Sequence, residues 1–174
     1  ARPLAEAERG VAMLFPGQGA QTIELCKGLY ERFPQFRARL DALAASLDDL
    51  LPRPLLSYLY PKRHGVPLDV DAANRALTAT EICQPAMAAL GLAVAGFAEE
   101  LGVTPSVVLG HSLGEFAALG AAGVLAARDT MRFVAQRGRI MADIPFVDLG
   151  AMMAIQADRA LVEQHLAEAA LEGV

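Results

Sequence analysis

The sequence contains few of the residues that mark several large classes of protein. Among its 174 residues there are two cysteines, three histidines and no tryptophan. Cys26 and Cys83 lie far apart, so we expect two reduced thiols in a cytoplasmic protein rather than a disulfide. The histidines lack the cysteine or carboxylate spacing of a zinc site, and we expect no bound metal.

Charge and hydropathy argue against two further classes. The net charge of −5 provides no basic patch for nucleic acid. No apolar run approaches the length of a membrane span and the N-terminus has no signal-peptide pattern, so we expect no membrane partner. Hydrophobic residues nevertheless make up 54% of the chain, which indicates a large core for a chain of about one domain.

The most informative stretch is the Gly-x-Ser-x-Gly pattern at residues 110–114. A short apolar run precedes it and a small-residue helix follows, which would place Ser112 on a sharp, strained strand-to-helix turn. Gly110 and Gly114 would keep neighbouring elements from colliding with this turn. The Leu113 N–H, at the positive end of the helix, would meet an oxyanion. The alternative is a buried serine at an ordinary helix start.

The N-terminal half is predicted to consist of one strand and several helices. Residues 11–15 have the character of a short buried strand. The following loop has two glycines around Gln18, which either let the backbone approach a ligand closely or form a plain turn. Residues 47–77 are less regular. Helices are predicted over 22–32, 34–46 and 71–77.

A long helix is predicted next. Residues 78–81, Thr-Ala-Thr-Glu, have the form of a capping box, and the helix would run from there to about Leu101. Pro85 fits its first turn, and Gly102 closes it. Gln84 in the same turn either reaches a substrate or satisfies local backbone groups.

Two helices are expected after the serine, one ending at Gly123 and one over 127–141. The second helix divides into a solvent face and an apolar face, and Arg137 lies in the middle of the apolar one. A guanidinium there is costly unless it is paired. It either pairs internally with a residue such as Glu115, snorkels to the edge, or forms a fork for a substrate carboxylate. The predicted solvent face consists of Arg132, Gln136, Arg139 and Asp143, and the apolar face of Thr130, Val134, Arg137 and Met141, flanked by Phe133 and Ile140.

The C-terminal stretch reads as the start of a second subdomain. A loop over 143–149 is followed by a strand over 151–155 and a helix capped by Asp158. We therefore expect a flexible lead-in at 1–10, a main α/β unit at 11–149 and the beginning of a smaller unit at 150–174.

Four motifs in order carry a family resemblance. They are residues 15–21 (Phe-Pro-Gly-Gln-Gly-Ala-Gln), 84–86 (Gln-Pro-Ala), 110–116 (Gly-His-Ser-Leu-Gly-Glu-Phe) and 136–138 (Gln-Arg-Gly). The chain resembles malonyl-CoA:acyl carrier protein transacylase and the acyltransferase domains of polyketide and fatty acid synthases. The resemblance implies an α/β-hydrolase-like large subdomain with a parallel sheet and a ferredoxin-like small subdomain, entered near Gly150.

The resemblance also implies a reaction and its residues. An acyl group would pass from coenzyme A to Ser112 and then to the phosphopantetheine thiol of an acyl carrier protein, with no permanently bound cofactor. The backbones of Gln18 and Leu113 match the oxyanion donors. The substrate-binding positions would be Gln84, His111 and, for the extender carboxylate, Arg137.

One departure from the family pattern concerns the general base. The family's catalytic histidine lies farther beyond the serine than this chain extends, so we expect it outside these residues, in a C-terminal part that would be a partner of this chain. His111 should not replace it, because its ring should point away from the serine hydroxyl. His165 is expected on the surface.

The sequence leaves alternatives for the identity of the acyl group and for the class of reaction. Arg137, Leu113 and the Thr80–Gln84 segment favour malonyl, and the Leu59–Pro61 segment weakly suggests an iterative enediyne or polyunsaturated fatty acid synthase. The same serine turn also serves serine hydrolases and thioesterases. A non-catalytic fragment that lacks the general base is the third possibility.

Overall fold

A computed structural model describes residues 10–65, 69–145 and 155–169. The chain divides into two units, Ala1–Ile144 and Pro145–Val174. The first unit contains β1 (Ala12–Phe15), α1 (Lys27–Arg32), α2 (Pro34–Ala45), α3 (Leu55–Leu59), a 3-10 turn (Pro61–His64), α4 (Val70–Thr78), α5 (Thr80–Glu100), β2 (Val107–Gly110), α6 (Gly114–Ala121) and α7 (Ala127–Ala142); the second contains α8 (Arg159–Ala169).

The described sheet has two parallel strands. β1 pairs with β2 in a register that runs from Ala12 opposite Val107 to Phe15 opposite Gly110. Parallel strands joined through helices confirm the α/β class. The predicted strand is present, but it is only partly buried: Phe15 is 4% exposed and Leu14 is 70% exposed. Successive side chains point to opposite faces, and only the Phe15 face is packed, against Ala117 and Ala118 of α6.

The core of the first unit is helical, with α5 in contact with α2, α6 and α7. The long helix predicted to end near Leu101 is confirmed as α5, and it buries Ala86, Leu90 and Phe97. Each buried leucine or phenylalanine contributes about 1.5–3 kcal/mol to folding. The predicted helix at 34–46 is confirmed as α2, which opens with Pro34 at its N-terminus.

The expectation about long apolar segments needs correction. The 21 residues of α5 are long and apolar enough to cross a membrane by length and composition alone. However, 78% of its most apolar window is buried inside the protein. This burial identifies α5 as a core helix, and its apolar character follows from contact with helices on several sides.

The helix predicted over 22–32 begins later, at Lys27. Glu24 and Cys26 have φ values of 63° and 59°, in the left-handed region that interrupts a right-handed helix. The Glu24 N–H instead donates to the Leu59 carbonyl at 2.8 Å. A contact between segments far apart in sequence therefore replaces the first turn of the predicted helix.

The predicted capping box is wrong. Thr78 ends α4, and Ala79, with φ −54° and ψ 129°, separates it from α5, whose N-terminus has no side-chain cap. Pro85 lies inside α5, beyond its first turn. The hydroxyls of Thr78 and Thr80 accept hydrogen bonds from glutamine side chains of the loop after β1, so they are engaged across the fold and not within the helix.

The irregular stretch at 47–77 contains more structure than the sequence predicted. The short helix expected over 71–77 is confirmed as α4, which is capped by Asp69 through a 3.0 Å hydrogen bond from the Ala72 N–H. The helix α3 was missed. Its five residues are all buried, so it is stabilised by packing, since isolated helices of this length are unstable.

The helix predicted over 127–141 is confirmed as α7, but its solvent face is not wholly solvent-exposed. Arg132 forms two hydrogen bonds to the Asp49 carboxylate, at 2.8 and 3.0 Å, and a third to the Ser46 carbonyl. Arg132 therefore joins α7 to the segment after α2.

The second unit is described only in part. The helix after Asp158 is confirmed as α8, and none of its residues is buried. His165 lies on its surface, as expected, 3.4 Å from the Glu168 carboxylate. All but the last residue of the lead-in predicted at 1–10 and of the strand predicted over 151–155 lie outside the described residues, as does most of the loop over 143–149.

Candidate active site

Ser112 lies on the turn between β2 and α6. Its φ of 53° is in the left-handed region, and the residue is exposed. The turn is closed by hydrogen bonds from the Gly114 N–H to the His111 carbonyl at 2.9 Å and from the Glu115 N–H to the Ser112 carbonyl at 3.1 Å. A non-glycine residue in this conformation costs about 1–3 kcal/mol, and such residues are found in clusters at active sites. The strained strand-to-helix turn predicted from the sequence is therefore present.

The glycines on either side of this serine are required by backbone contacts. A Cβ on Gly110 would lie 2.2 Å from the Glu115 nitrogen, and a Cβ on Gly114 would lie 2.0 Å from the Phe15 carbonyl oxygen. No larger residue fits at either position without a backbone shift. The prediction that these glycines prevent collisions at the turn is confirmed.

The loop after β1 passes beside the serine turn. A Cβ on Gly17 would lie 2.8 Å from the His111 carbonyl oxygen and 3.5 Å from the Ser112 Cβ. Within the described ranges, neither the Gln18 N–H nor the Leu113 N–H has a hydrogen-bond acceptor. Backbone N–H groups that are left unengaged near a serine can stabilise an oxyanion.

Arg137 is half-buried on α7 and faces the helix that begins at the serine turn. Its Nη1 donates to Gln84 Oε1 at 2.6 Å, and its guanidinium carbon lies 5.5 Å from the centre of the Phe116 ring. Phe116 lies in the first turn of α6, four residues after Ser112. Glu115, considered as an internal partner, forms no ion pair with Arg137 among the residues that the structure describes.

Gln84 binds side chains rather than local backbone. It is 1% exposed, and its Nε2 donates to the Met141 sulfur at 3.3 Å while its Oε1 accepts from Arg137. These two contacts fix the orientation of the amide. Gln84 and Arg137 are thus brought together. Besides the Nη1 that Gln84 binds, the guanidinium has further N–H donors on Nη2 and Nε.

His111 is held by the strands and the adjoining loop. Its N–H donates to the Phe15 carbonyl at 3.0 Å, and its Nδ1 faces Gly17, 3.0 Å from the position of a Cβ there. The ring is therefore directed at the Gly17 backbone. A cavity of about 290 Å³ adjoins this histidine between the ends of β1 and β2. Across the described part of the chain, no group of three or more metal-ligating side chains is present.

Sequence reasoning missed the contacts of the Gln18 and Gln21 side chains. Gln18 Nε2 lies 3.2 Å from Thr80 Oγ1 and 3.3 Å from the Thr78 carbonyl oxygen. Gln21 Nε2 donates to the hydroxyl oxygen of Thr78. The only signal for this network was the position of both glutamines in the motif at 15–21.

Comparison with known proteins identifies consistent relatives. A family profile described as Acyl transferase domain matches residues 12–170. The malonyl CoA-acyl carrier protein transacylase of Bacillus subtilis is 38% identical over 145 residues, which cover 83% of this chain and 41% of that protein. The chain therefore spans less than half the length of this relative.

Solved structures agree with the sequence matches. The acyltransferase domain from the second module of the salinomycin polyketide synthase has a TM-score of 0.73 and 37% identity, covering 93% of this chain and 35% of that one. A structure of a malonyl-transacylase in complex with its type II polyketide synthase acyl-carrier protein has a TM-score of 0.64 and 32% identity, covering 79% and 40%. These matches confirm the resemblance found in the four motifs.

Proposed function

Because the chain belongs to the acyl transferase domain family, we propose that it is part of an acyltransferase that uses Ser112 as its nucleophile. The acyl group would come from a coenzyme A thioester and pass to the phosphopantetheine thiol of an acyl carrier protein. The observation that carries this proposal is the left-handed backbone of Ser112, at φ 53°, between two glycines that no larger residue can replace. This is the geometry that exposes a nucleophilic serine.

The reaction proceeds in two halves. Ser112 Oγ loses its proton and attacks the thioester carbonyl, the C–S bond breaks, and coenzyme A leaves as its thiol after protonation. The carrier thiol, on losing its proton, then attacks the serine ester, and Oγ recovers a proton as it leaves. In both halves the tetrahedral oxyanion accepts hydrogen bonds from the backbone N–H groups of Gln18 and Leu113.

The general base is assigned outside these 174 residues. Nδ1 of His111 faces the Gly17 backbone, and His165 lies on the surface of α8. We propose that the base is a histidine in a part of the domain outside these residues, since the match covers only 41% of the Bacillus subtilis relative. His111 instead lines the wall of the site.

Malonyl is the proposed acyl group because Arg137 offers a fork for its carboxylate. Gln84 binds Nη1 and holds the guanidinium over Phe116, so the Nη2 and Nε edge is the one assigned to the substrate. Two parallel hydrogen bonds from this edge match a carboxylate. The thioester carbonyl would then lie over Ser112 while the far carboxylate is anchored.

The remaining assignments follow from the same family membership. We propose that residues 11–149 belong to an α/β-hydrolase-like subdomain and that 150–174 begin a ferredoxin-like one. The reaction needs no permanent cofactor, and we propose a cytoplasmic location.

Transfer and hydrolysis are distinguished by the lifetime of the acyl-enzyme. The intact protein is loaded with radiolabelled malonyl-CoA, freed of excess substrate, and divided into samples with and without phosphopantetheinylated carrier protein. An acyltransferase retains the label in buffer and passes it to the carrier. Rapid release of free malonate without carrier identifies a hydrolase, and the absence of any labelled protein identifies a non-catalytic chain.

A further inference from the structure

The side chain of Gln21 is the centre of a small hydrogen-bond network beside the serine turn. Its Oε1 accepts from the Gly19 N–H at 2.7 Å and from the Cys83 thiol at 3.2 Å. Its Nε2 donates to Thr78 Oγ1 at 3.3 Å. A single amide thus joins the loop after β1 to the end of α4 and the first turns of α5.

Gln18 joins the same loop to the same junction. Its side chain reaches Thr80 Oγ1 and the Thr78 carbonyl, which directs the amide group toward the helices. The backbone N–H of Gln18 remains without an acceptor among the described residues. The side chain therefore anchors the residue, while its N–H is available at the site.

The loop needs such anchors because its own backbone is permissive. Gly17 and Gly19 flank Gln18. Gly19 has a φ of 112°, a backbone conformation that residues other than glycine rarely adopt. Glycine loses more conformational freedom on ordering than any other residue. Hydrogen bonds to a packed helix junction restrict this freedom.

Cys83 contributes a buried donor to this network. Its side chain is 0% exposed, and burial raises the pKa of the thiol to about 11. The thiol is therefore protonated at neutral pH and can donate to Gln21 Oε1.

We infer that Gln21 and Cys83 are positioning residues that fix the Gly17–Gly19 loop and thereby hold the Gln18 N–H against the serine turn. The inference rests on the proposed function only for its catalytic consequence. The structural part, that the Gln21 amide orders the loop, stands independently of the reaction.

The structural part is tested by amide hydrogen exchange in the intact protein. Gln21→Met removes both ends of the amide and keeps the length of the side chain, so the Gly19 amide, which loses its acceptor, should exchange at least about tenfold faster, the factor that corresponds to about 1.4 kcal/mol. Gln35→Met, at an exposed position of α2, is the matched control and should leave this exchange unchanged. Unchanged Gly19 exchange in Gln21→Met would overturn the inference whatever the enzyme does.

The catalytic consequence is tested by separating kcat from KM for malonyl transfer. Loosening an oxyanion donor acts on the transition state, so Gln21→Met should lower kcat about tenfold, less than the loss expected on removing a donor outright, with KM within about twofold. Cys83→Ala should lower kcat by a smaller factor. Cys83→Ser should keep the wild-type kcat, because its hydroxyl can donate in place of the thiol. Cys26→Ala, which removes the other thiol, should also have the wild-type kcat.

The outcomes separate the two proposals. If wild type transfers no acyl group but Gly19 exchange increases in Gln21→Met, the proposed function fails and the loop assignment stands. If transfer occurs and the variant raises KM while kcat stays constant, Gln21 acts on substrate binding and the positioning role is wrong.

Discussion

The two halves of the candidate site are built in different ways. Around Ser112 the geometry is set by backbone, because Gly110 and Gly114 lie so close to neighbouring main chain that a Cβ would fall within 2.2 Å of it. The position of the Arg137 guanidinium is instead set by side chains, through a 2.6 Å hydrogen bond to Gln84 and a Phe116 ring 5.5 Å away. Gly110 and Gly114 in the serine half have no room for a side chain, whereas the Arg137 and Gln84 side chains can be shortened without a new backbone contact.

This difference teaches how each half performs its task. A nucleophile and its oxyanion donors must be rigid, since misplacement by about 1 Å costs about two orders of magnitude in rate. A carboxylate fork must instead discriminate between acyl groups, which depends on a few polar contacts. Changes at Gly110 and Gly114 should therefore affect folding and rate, and changes at Arg137 and Gln84 should affect substrate preference.

The largest expected effect comes from Gly114→Ala. The new Cβ would lie 2.0 Å from the Phe15 carbonyl oxygen, so the end of β1 and the start of α6 must separate, at a cost of about 3 kcal/mol or more. Urea unfolding of the intact protein measures this loss. Gly28→Ala is the matched control: it lies in α1 with no atom within 4 Å of the added Cβ and should stabilise by about 0.5–1 kcal/mol. Equal midpoints for the two variants would contradict a backbone-determined serine turn.

Arg137→Ala should change substrate preference with little effect on stability. Loss of the partner for a buried carboxylate costs about 2–5 kcal/mol, so kcat/KM for malonyl-CoA should fall by at least about 30-fold, while that for acetyl-CoA should stay the same or rise. Arg139→Ala, which removes an arginine that is 71% exposed on the same helix, should change neither value. A parallel loss for both substrates together with a large drop in Tm would make Arg137 a structural residue.

Gln84→Met should produce a smaller change in the same direction. The substitution keeps the length of the side chain but removes the acceptor for Arg137 Nη1, which costs about 1–2 kcal/mol of guanidinium positioning. The ratio of malonyl to acetyl kcat/KM should fall by roughly 5- to 30-fold. Gln136→Met, on the exposed side of α7, is the control. An unchanged ratio in Gln84→Met would mean that the substrate alone orients the arginine.

The smallest effect is a pH dependence of stability due to Cys83. Burial raises the pKa of its thiol in the folded protein from 9.0 to about 11. The stabilisation is therefore complete below pH 9 and is lost as the pH rises toward 11, because the unfolded chain loses the proton first. The Tm of wild type should fall more steeply over this range than that of Cys83→Ser. Parallel curves would show that the thiol is not desolvated, and Cys26→Ser controls for removal of a thiol elsewhere.

The sequence predicted the serine half well for a physical reason. A backbone that must pass within contact distance of another requires glycine, and glycine at fixed spacing is visible in a single sequence. The pattern at residues 110–114 therefore indicated both the strand-to-helix turn and the free Leu113 N–H. For the loop with Gln18 the same reasoning left two alternatives, a close backbone approach and a plain turn, and the structure favours the first, since Gly17 lies against the His111 carbonyl.

The contacts of the other half could not be predicted from local pattern. Arg137 was identified as a charge on an apolar face, but its partner Gln84 lies 53 residues away in sequence, and Glu115, the nearer candidate, does not bind it. The capping box failed similarly, because Thr78 and Thr80 accept hydrogen bonds from Gln18 and Gln21. Side-chain partners of this kind depend on how helices meet, which periodicity does not specify.

The central proposal, a covalent acyl group on Ser112, is tested most directly by the intact mass of the protein after incubation with malonyl-CoA and no carrier. Wild type and Ser106→Ala, which alters another exposed serine before β2, should both gain one malonyl group, located by peptide mapping to Ser112. Ser112→Ala should gain none while retaining its Tm. An undiminished adduct in Ser112→Ala would contradict the assignment of the nucleophile.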